Sequence, residues 1–150
     1  MFTDYHAKNP FGSEVTVDSV IEDFGVLDDW ETRYRYLIEL GRRLPPIPDE
    51  LKTPANLIHG CQSQAWIGVE KTDGHLRFLL DSDAHIVRGL IAIVLSAVNG
   101  RTPEEIRGVD FDGLFAKLDL LRHLSPARGN GVRAMVARVR TAAGPLESST

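Results

Sequence analysis

Apolar positions recur at helical spacing near both ends of the chain and at alternate positions in its middle. Val17, Val20, Ile21 and Phe24 predict a short helix over residues 16–24, closed by Gly25. Asp28 with Glu31 reads as a capping box, and Trp30, Tyr34, Leu37, Ile38, Gly41 and Leu44 line one face of a second helix. Arg42 and Arg43 suit the negative end of that helix, and Pro45-Pro46 stops it. From Asn56 the period shortens. Residues 56–58 read as a short strand, and Ala65, Ile67 and Val69 then alternate with Trp66, Gly68 and Glu70 as a half-buried strand requires. Asp73-Gly74 is a hairpin turn signal, and beyond it Leu76, Phe78 and Leu80 alternate with Arg77 and Leu79.

The pattern turns helical again after Asp83, which is expected to cap a helix over residues 84–99. Ile86, Val87, Leu90, Ile91, Ile93, Val94, Leu95 and Val98 leave it almost no polar face, so this helix must be the core. Gly100 ends it, and Thr102-Pro103-Glu104-Glu105 combines an N-cap, a first-turn proline and a capping box. Phe111, Leu114, Phe115 and Leu118 mark a further short helix. Ser125-Pro126 opens the last one, with Val132, Met135, Val136 and Val139 inward and an end near Gly144-Pro145. Gly129 and Gly131 each cost that helix about 1 kcal/mol relative to alanine. They fit either a close approach to the backbone or a late, irregular helix start.

These elements predict an α+β fold: a small three-stranded antiparallel sheet packed by helices. A chain of 150 residues with 43% hydrophobic content fits one domain over residues 1–150, with an ordered core over about 16–144 and flexible tails at both ends. The net charge of −4 hides an asymmetry. From Arg122 onward, five arginines stand against one acid, a charge of +4, whereas residues 1–121 carry 12 basic and 20 acidic side chains, a charge of −8. Nucleic-acid binding is disfavoured, because no aromatic follows residue 115 and no lysine-rich run accompanies the arginines. A solvated helix face or an acidic protein partner accounts better for them. Residues 1–14 lack the basic and apolar segments of a secretory signal, and no stretch approaches the ~20 apolar residues of a membrane span. A cytoplasmic protein with a reduced cysteine, without membrane contact, is expected.

That cysteine, Cys61, is the only one in the chain, and it sits in the small polar stretch Gly60-Cys61-Gln62-Ser63-Gln64. One sulfur closes no intramolecular disulfide and falls short of the ligand set of a structural zinc or iron–sulfur site. The roles left are nucleophile, redox sensor or carrier of a transferred group, beside the plain alternative of an inert buried thiol. Gly60 permits close approach, and Gln62, Ser63 and Gln64 offer donors and acceptors without bulk. No lysine or arginine lies within eight residues on either side, so any cation that stabilises the thiolate must arrive through the fold or from a partner.

Six blocks, in order along the chain, carry a resemblance. They are Trp30-Glu31 with Tyr34; Ile38-Glu39-Leu40-Gly41 through Leu44-Pro45; Asn56 through Gly60-Cys61-Gln62-Ser63-Gln64-Ala65-Trp66; Asp81-Ser82-Asp83-Ala84; Ile86 through Ala92; and His123-Leu124-Ser125-Pro126-Ala127-Arg128. The chain resembles the SufE family of sulfur acceptor proteins, including its CsdE branch. The resemblance implies an α+β fold like that of the IscU scaffold proteins. It also implies that Cys61 takes sulfane sulfur from a cysteine desulfurase of the SufS or CsdA kind, holds it transiently as a persulfide, and passes it towards iron–sulfur scaffold proteins. The pyridoxal phosphate belongs to the partner. This chain is expected to need no cofactor or metal of its own and to have no independent turnover of cysteine, because it shows no cofactor-binding lysine motif. Cluster scaffolding itself is disfavoured, since the additional cysteines of such scaffolds are absent.

Arg128, which matches the family's Ser-Pro-x-Arg segment, is the candidate stabiliser of the thiolate, although an arginine at a helix start can instead bind loop carbonyls. His59, two residues before Cys61, would share its face on a strand and could serve as a base, but a lone loop histidine is more often solvated. Gly60, Gln62, Ser63 and Gln64 form the expected partner-binding loop. Asp83 reads as a helix cap and Trp66 as core. Leu57 and Ile58 before the loop suggest that Cys61 is partly shielded in the free protein. The competing reading is a module that activates the desulfurase allosterically without carrying sulfur. The identity of the partner branch and homodimerisation stay open.

Overall fold

A hairpin with a two-residue turn organises the molecule. In the computed structural model, which describes residues 2–59 and 63–144, β1 (Ala65–Thr72) and β2 (His75–Ser82) pair antiparallel in register from Ala65↔Ser82 to Thr72↔His75. Asp73 and Gly74 both take positive φ, 53° and 79°, the backbone of a type I′ turn and the one whose twist matches the flanking strands. The sheet stops at two strands. The third strand expected over residues 56–58 is reduced to one bridge, Leu57↔Trp66, and a bond from the Ile58 N–H to the Ala65 carbonyl at 2.8 Å. Its beginning is taken by a 3₁₀ turn, Pro54–Asn56, because proline has no N–H to offer a ladder and the Asn56 amide is tied back to the Leu51 carbonyl at 3.0 Å.

The outer edge of β2 is closed by groups from elsewhere. Leu76 exchanges backbone bonds with Arg101 and Gly100, both at 2.8 Å, and the Phe78 N–H donates to Asn99 Oδ1 at 2.8 Å. The Tyr5 hydroxyl donates to the Leu80 carbonyl at 2.8 Å and accepts the Leu80 N–H at 3.1 Å. Burial holds the Tyr5 phenol well above its ordinary range, so it keeps the proton this double role requires. Tyr5 belongs to α1 (Thr3–Lys8), in the segment expected as a tail. Residues 2–15 instead pack on the body: Tyr5 and Phe11 are buried, and Asn99 Nδ2 donates to the Phe11 carbonyl.

Both faces of the hairpin are covered, which breaks the simple alternation. Ala65, Ile67, Leu76, Phe78 and Leu80 join the main core, whereas Trp66 and Leu79 face a smaller cluster with Tyr5 and Ile47. Burial fades towards the turn, so Val69, expected inward, is 42% exposed. The main core is built around α4 (His85–Val98), twelve of whose fourteen residues are buried.

Against α4 lies α3 (Trp30–Arg42). At the crossing, Gly41 faces Gly89 so closely that a Cβ on Gly41 would come 2.8 Å from the Gly89 nitrogen. The cap of α3 is Asp29, accepting from the Thr32 N–H at 2.8 Å, one residue beyond the expected Asp28–Glu31 box. Preceding it, α2 (Val17–Gly25) carries a Thr16–Ser19 capping box and runs through Gly25, whose φ is not left-handed; Val26 is its cap. The remaining helices, α5 (Pro103–Arg107), α6 (Phe111–Leu118) and α7 (Pro126–Ala143), start on Thr102, Asp110 and Ser125 as side-chain caps. No helix among the described residues is long and apolar enough to cross a membrane.

Candidate functional site

Residues 60–62, and with them Gly60, Cys61 and Gln62, lie outside the described residues, as does the expected shielding of the thiol. Their flanks define the setting. His59 is exposed in a turn, Ser63 is half-buried, and Gln64 is exposed at the threshold of β1.

On the downstream side, the Gln64 carbonyl accepts from Ser82 Oγ at 2.7 Å and from the Asp83 N–H at 3.1 Å, while its own N–H donates to Asp83 Oδ1 at 3.1 Å. Asp83 therefore holds this loop and does not cap α4 as expected. The N-cap of α4 is Ala84, with no side-chain cap, and Ser82 Oγ accepts the Ala84 N–H at 3.2 Å. One short corner, Ser82-Asp83-Ala84, thus serves both the loop and the helix start.

That corner is braced from below. Asp81, 3% exposed, accepts the Ser82 N–H at 2.8 Å, the Ile47 N–H at 3.1 Å and Arg88 Nη1 at 2.5 Å. Arg88 also donates to the Gly41 carbonyl at 3.2 Å and to the Leu44 carbonyl. Both oxygens of the carboxylate are engaged, Oδ1 twice and Oδ2 once, which is the kind of satisfaction that makes a buried ion pair tolerable. The strut joins the end of α3, the end of β2 and the start of α4 beneath the loop.

On the upstream side, Arg138 of α7 donates to the Leu57 carbonyl at 3.0 Å and reaches the Ala55 carbonyl at 3.5 Å. The first turns of α7 face the loop's other end. A cavity of about 50 Å³ is lined, among the described residues, by Ser63, by Val87 and Leu90 of α4, and by Ala127, Arg128, Gly131, Val132 and Met135 of α7. Small-molecule pockets run to about 300–1,000 Å³. This one has room for part of a side chain.

Arg128 is exposed at this cavity, and its guanidinium has no carboxylate partner among the described residues. Its backbone N–H donates to Ser125 Oγ at 3.3 Å in the helix cap. The cation that the local sequence lacks is thus brought near Ser63 by the fold. Of the two glycines only Gly131 lies on this cavity, and a side chain on Gly129 would meet nothing closer than the Arg133 guanidinium at 3.5 Å. Because α7 starts regularly at Pro126, a late helix start is not their cause, and both are buried. The start of α7 is steadied by a stack of Trp30 on His123, with ring centroids 4.3 Å apart and planes at 11°, and by His123 Nε2 against Asp119 at 3.3 Å.

The structure brings Arg128 and Ser63 to one cavity, pins the Gln64 backbone, and leaves His59 exposed on the upstream turn. Trp66 is core, in the smaller cluster, and Glu39 is a surface residue paired with Arg42 at 2.6 Å. Sequence reasoning missed Arg138 and Ser82. Neither carries a local signal, because their partners lie 81 and 18 residues away.

The SufE family model, described as an Fe-S metabolism associated domain, matches residues 18–143. An uncharacterized SufE-like protein of Rhizobium etli is 48% identical over 130 residues, covering 83% of this chain and 87% of that protein. Another, of Rhizobium meliloti, is 46% identical over 132 residues, covering 85% and 94%. The solution structure of a hypothetical protein from Thermus thermophilus superposes with a TM-score of 0.69 over 85% of this chain and 92% of that one; at 22% identity it speaks for the fold alone.

Proposed function

The chain belongs to the SufE family, associated with iron–sulfur metabolism, and from that membership we propose that Cys61 is a persulfide acceptor which takes sulfur from a cysteine desulfurase and stimulates that enzyme. The observation that carries the reading is the placement of the chain's only cysteine in a polar segment whose downstream end lies on a cavity beside Arg128, which has no carboxylate partner among the described residues. Ser63, which lines that cavity, stands two positions after Cys61, and two residues of chain span at most about 7 Å.

The chemistry is an exchange at sulfur. The Cys61 thiolate attacks the outer sulfur of the partner's persulfide; a new S–S bond forms on Cys61, the partner's own S–S bond breaks, and the partner's cysteine leaves as a thiolate. The proton of the terminal S–H travels with the transferred sulfur, so charge and atoms balance without an added oxidant. An unperturbed thiol near pKa 8.5 is only a few per cent ionised at neutral pH. Lowering that pKa by one unit multiplies the thiolate nearly tenfold but weakens its nucleophilicity, for a net gain of about threefold. Arg128 supplies that order of help and no more, so most of the rate must come from bringing the two sulfurs together. His59, exposed, is not needed as a base once the thiolate is the reacting form. In this reading the pyridoxal phosphate stays with the desulfurase, the sulfur passes on to iron–sulfur scaffold proteins, and the setting is the reducing cytoplasm.

With the cognate desulfurase, cysteine and a reductant, the protein is expected to accelerate sulfide release, and Cys61→Ser to abolish the acceleration. Intact mass after incubation with enzyme and cysteine is expected to show a reducible adduct of one or more sulfur atoms on the wild type. Equal stimulation by the serine variant, with no adduct on the wild type, would instead establish a module that activates without carrying sulfur.

A further inference from the structure

One side chain far along the sequence grips the polypeptide leading into Cys61. Arg138 sends Nη1 to the Leu57 carbonyl at 3.0 Å and Nη2 towards the Ala55 carbonyl at 3.5 Å. These carbonyls stand two residues apart at the exit of the 3₁₀ turn Pro54–Asn56, where carbonyls have no donor of their own. One planar guanidinium meets both from a fixed fork, which a lysine ammonium at the end of a flexible stem does not reproduce. Among the described residues no carboxylate pairs with Arg138, so its half-buried charge is answered by carbonyl dipoles alone.

The two ends of the loop are therefore tied to different bodies. The downstream end is fixed to the corner between β2 and α4 through Ser82 and Asp83. The upstream end is fixed to α7, the same helix that presents Arg128 ten residues earlier, about 15 Å along its axis. Without Arg138, Ile58 would stay buried in the main core, and among the described residues the hydrogen bonds left to the stem, the Ile58-to-Ala65 bond at the Leu57↔Trp66 bridge and the Asn56 amide on the Leu51 carbonyl, reach β1 and the preceding turn and not α7.

We propose that Arg138 is a positioning residue for sulfur transfer: by gripping Ala55 and Leu57 it holds the approach to Cys61 against α7, so that the thiol and Arg128 are presented to the desulfurase together. The inference rests on the sulfur-acceptor reading of Cys61. Its test uses the full chain carrying Arg138→Ala or Arg138→Lys, with the cognate desulfurase, cysteine and a reductant. In parallel, iodoacetamide labelling of Cys61 is followed from neutral to alkaline pH without any partner. Arg138→Ala is expected to raise the half-saturating concentration for stimulation about fivefold, the cost of ordering a released stem, with the maximal rate within about twofold. Its labelling profile should move to higher pH, and the lysine variant should fall between alanine and wild type in both measurements.

A folded alanine variant with unchanged half-saturation and an unchanged labelling profile would overturn the proposal. So would an alanine variant that only loses thermal stability, with labelling as in wild type. Because the lysine variant keeps the charge and most of the length, it carries the test if alanine prevents folding. Should Cys61→Ser stimulate like the wild type, the acceptor reading falls by itself. The labelling profile, which involves no sulfur transfer, then decides alone whether Arg138 positions the segment.

Discussion

Along the outer edge of β2, Arg101 meets Leu76, Asn99 meets Phe78 and Tyr5 meets Leu80, while the Ser82 N–H turns to the carboxylate of the neighbouring Asp81. The outer edge of β1 is treated differently. It has one bridge at Trp66 and one bond at Ala65, both next to the loop, and among the described residues no further bridge runs along Val69 to Thr72. Lys71 sits on this stretch, a charge of the kind that discourages strand addition. The contrast separates a braced side from an adjustable one. The β2 edge is tied into α1, α4 and the Asp81–Arg88 strut, so opening any part of it disturbs several elements. On the β1 edge, the stem of the Cys61 loop is anchored by the buried Ile58, and the polar contacts at Ala55 and Leu57 beside it can be released locally at a smaller free-energy cost. In the proposed function, the loop that would meet the desulfurase has its stem on the less braced side.

The largest effect should come from removing the brace. Asp81→Ala leaves the Arg88 guanidinium without its carboxylate and the Ile47 and Ser82 N–H groups without an acceptor. Breaking one half of such a pair costs about 3–5 kcal/mol, to be read by urea denaturation; a loss under about 1 kcal/mol would mean that the strut contributes little. Tyr5→Phe is the intermediate case. It keeps the ring packed on Leu79 and Trp66 but strands the buried Leu80 N–H and carbonyl, for about 1–3 kcal/mol in the same measurement. Loss of the hydroxyl without cost would show that the edge needs no closure there.

Ser82→Ala tests the other side of the contrast and should do least to global stability. It removes the bond to the Gln64 carbonyl and the acceptor for the Ala84 N–H, so exchange of the Asp83 amide should quicken about five- to tenfold while the denaturation midpoint barely moves. A matching drop in global stability would place this corner with the braced edge and break the comparison.

How much of this was legible beforehand depended on how local the cause was. The Asp73-Gly74 turn, the Thr102–Glu105 box, the Ser125 cap and the all-apolar α4 each follow from neighbouring residues, and each was foreseen. Asp83 shows the limit. Its place before a helix suggested a cap, but the side chain had two acceptable partners, and only the folded chain brings the Gln64 N–H within 3.1 Å. The third strand failed for a similar reason, since the alternation at residues 56–58 said nothing of the 3₁₀ turn before it.

At the site the division is the same. The sequence alone singled out Cys61, because one cysteine among small polar residues is a local fact, and it matched the blocks that place the chain in the SufE family. It could state only that a cation near that cysteine must come from elsewhere. Which cations come, and on which element, was decided by tertiary structure: α7 packs beside the loop and brings Arg128 to the cavity and Arg138 to the stem. Chain order carries no record of that packing, because contacts between residues some 80 apart arise from how α4, α7 and the hairpin bury their shared core, and not from any pattern within a single segment.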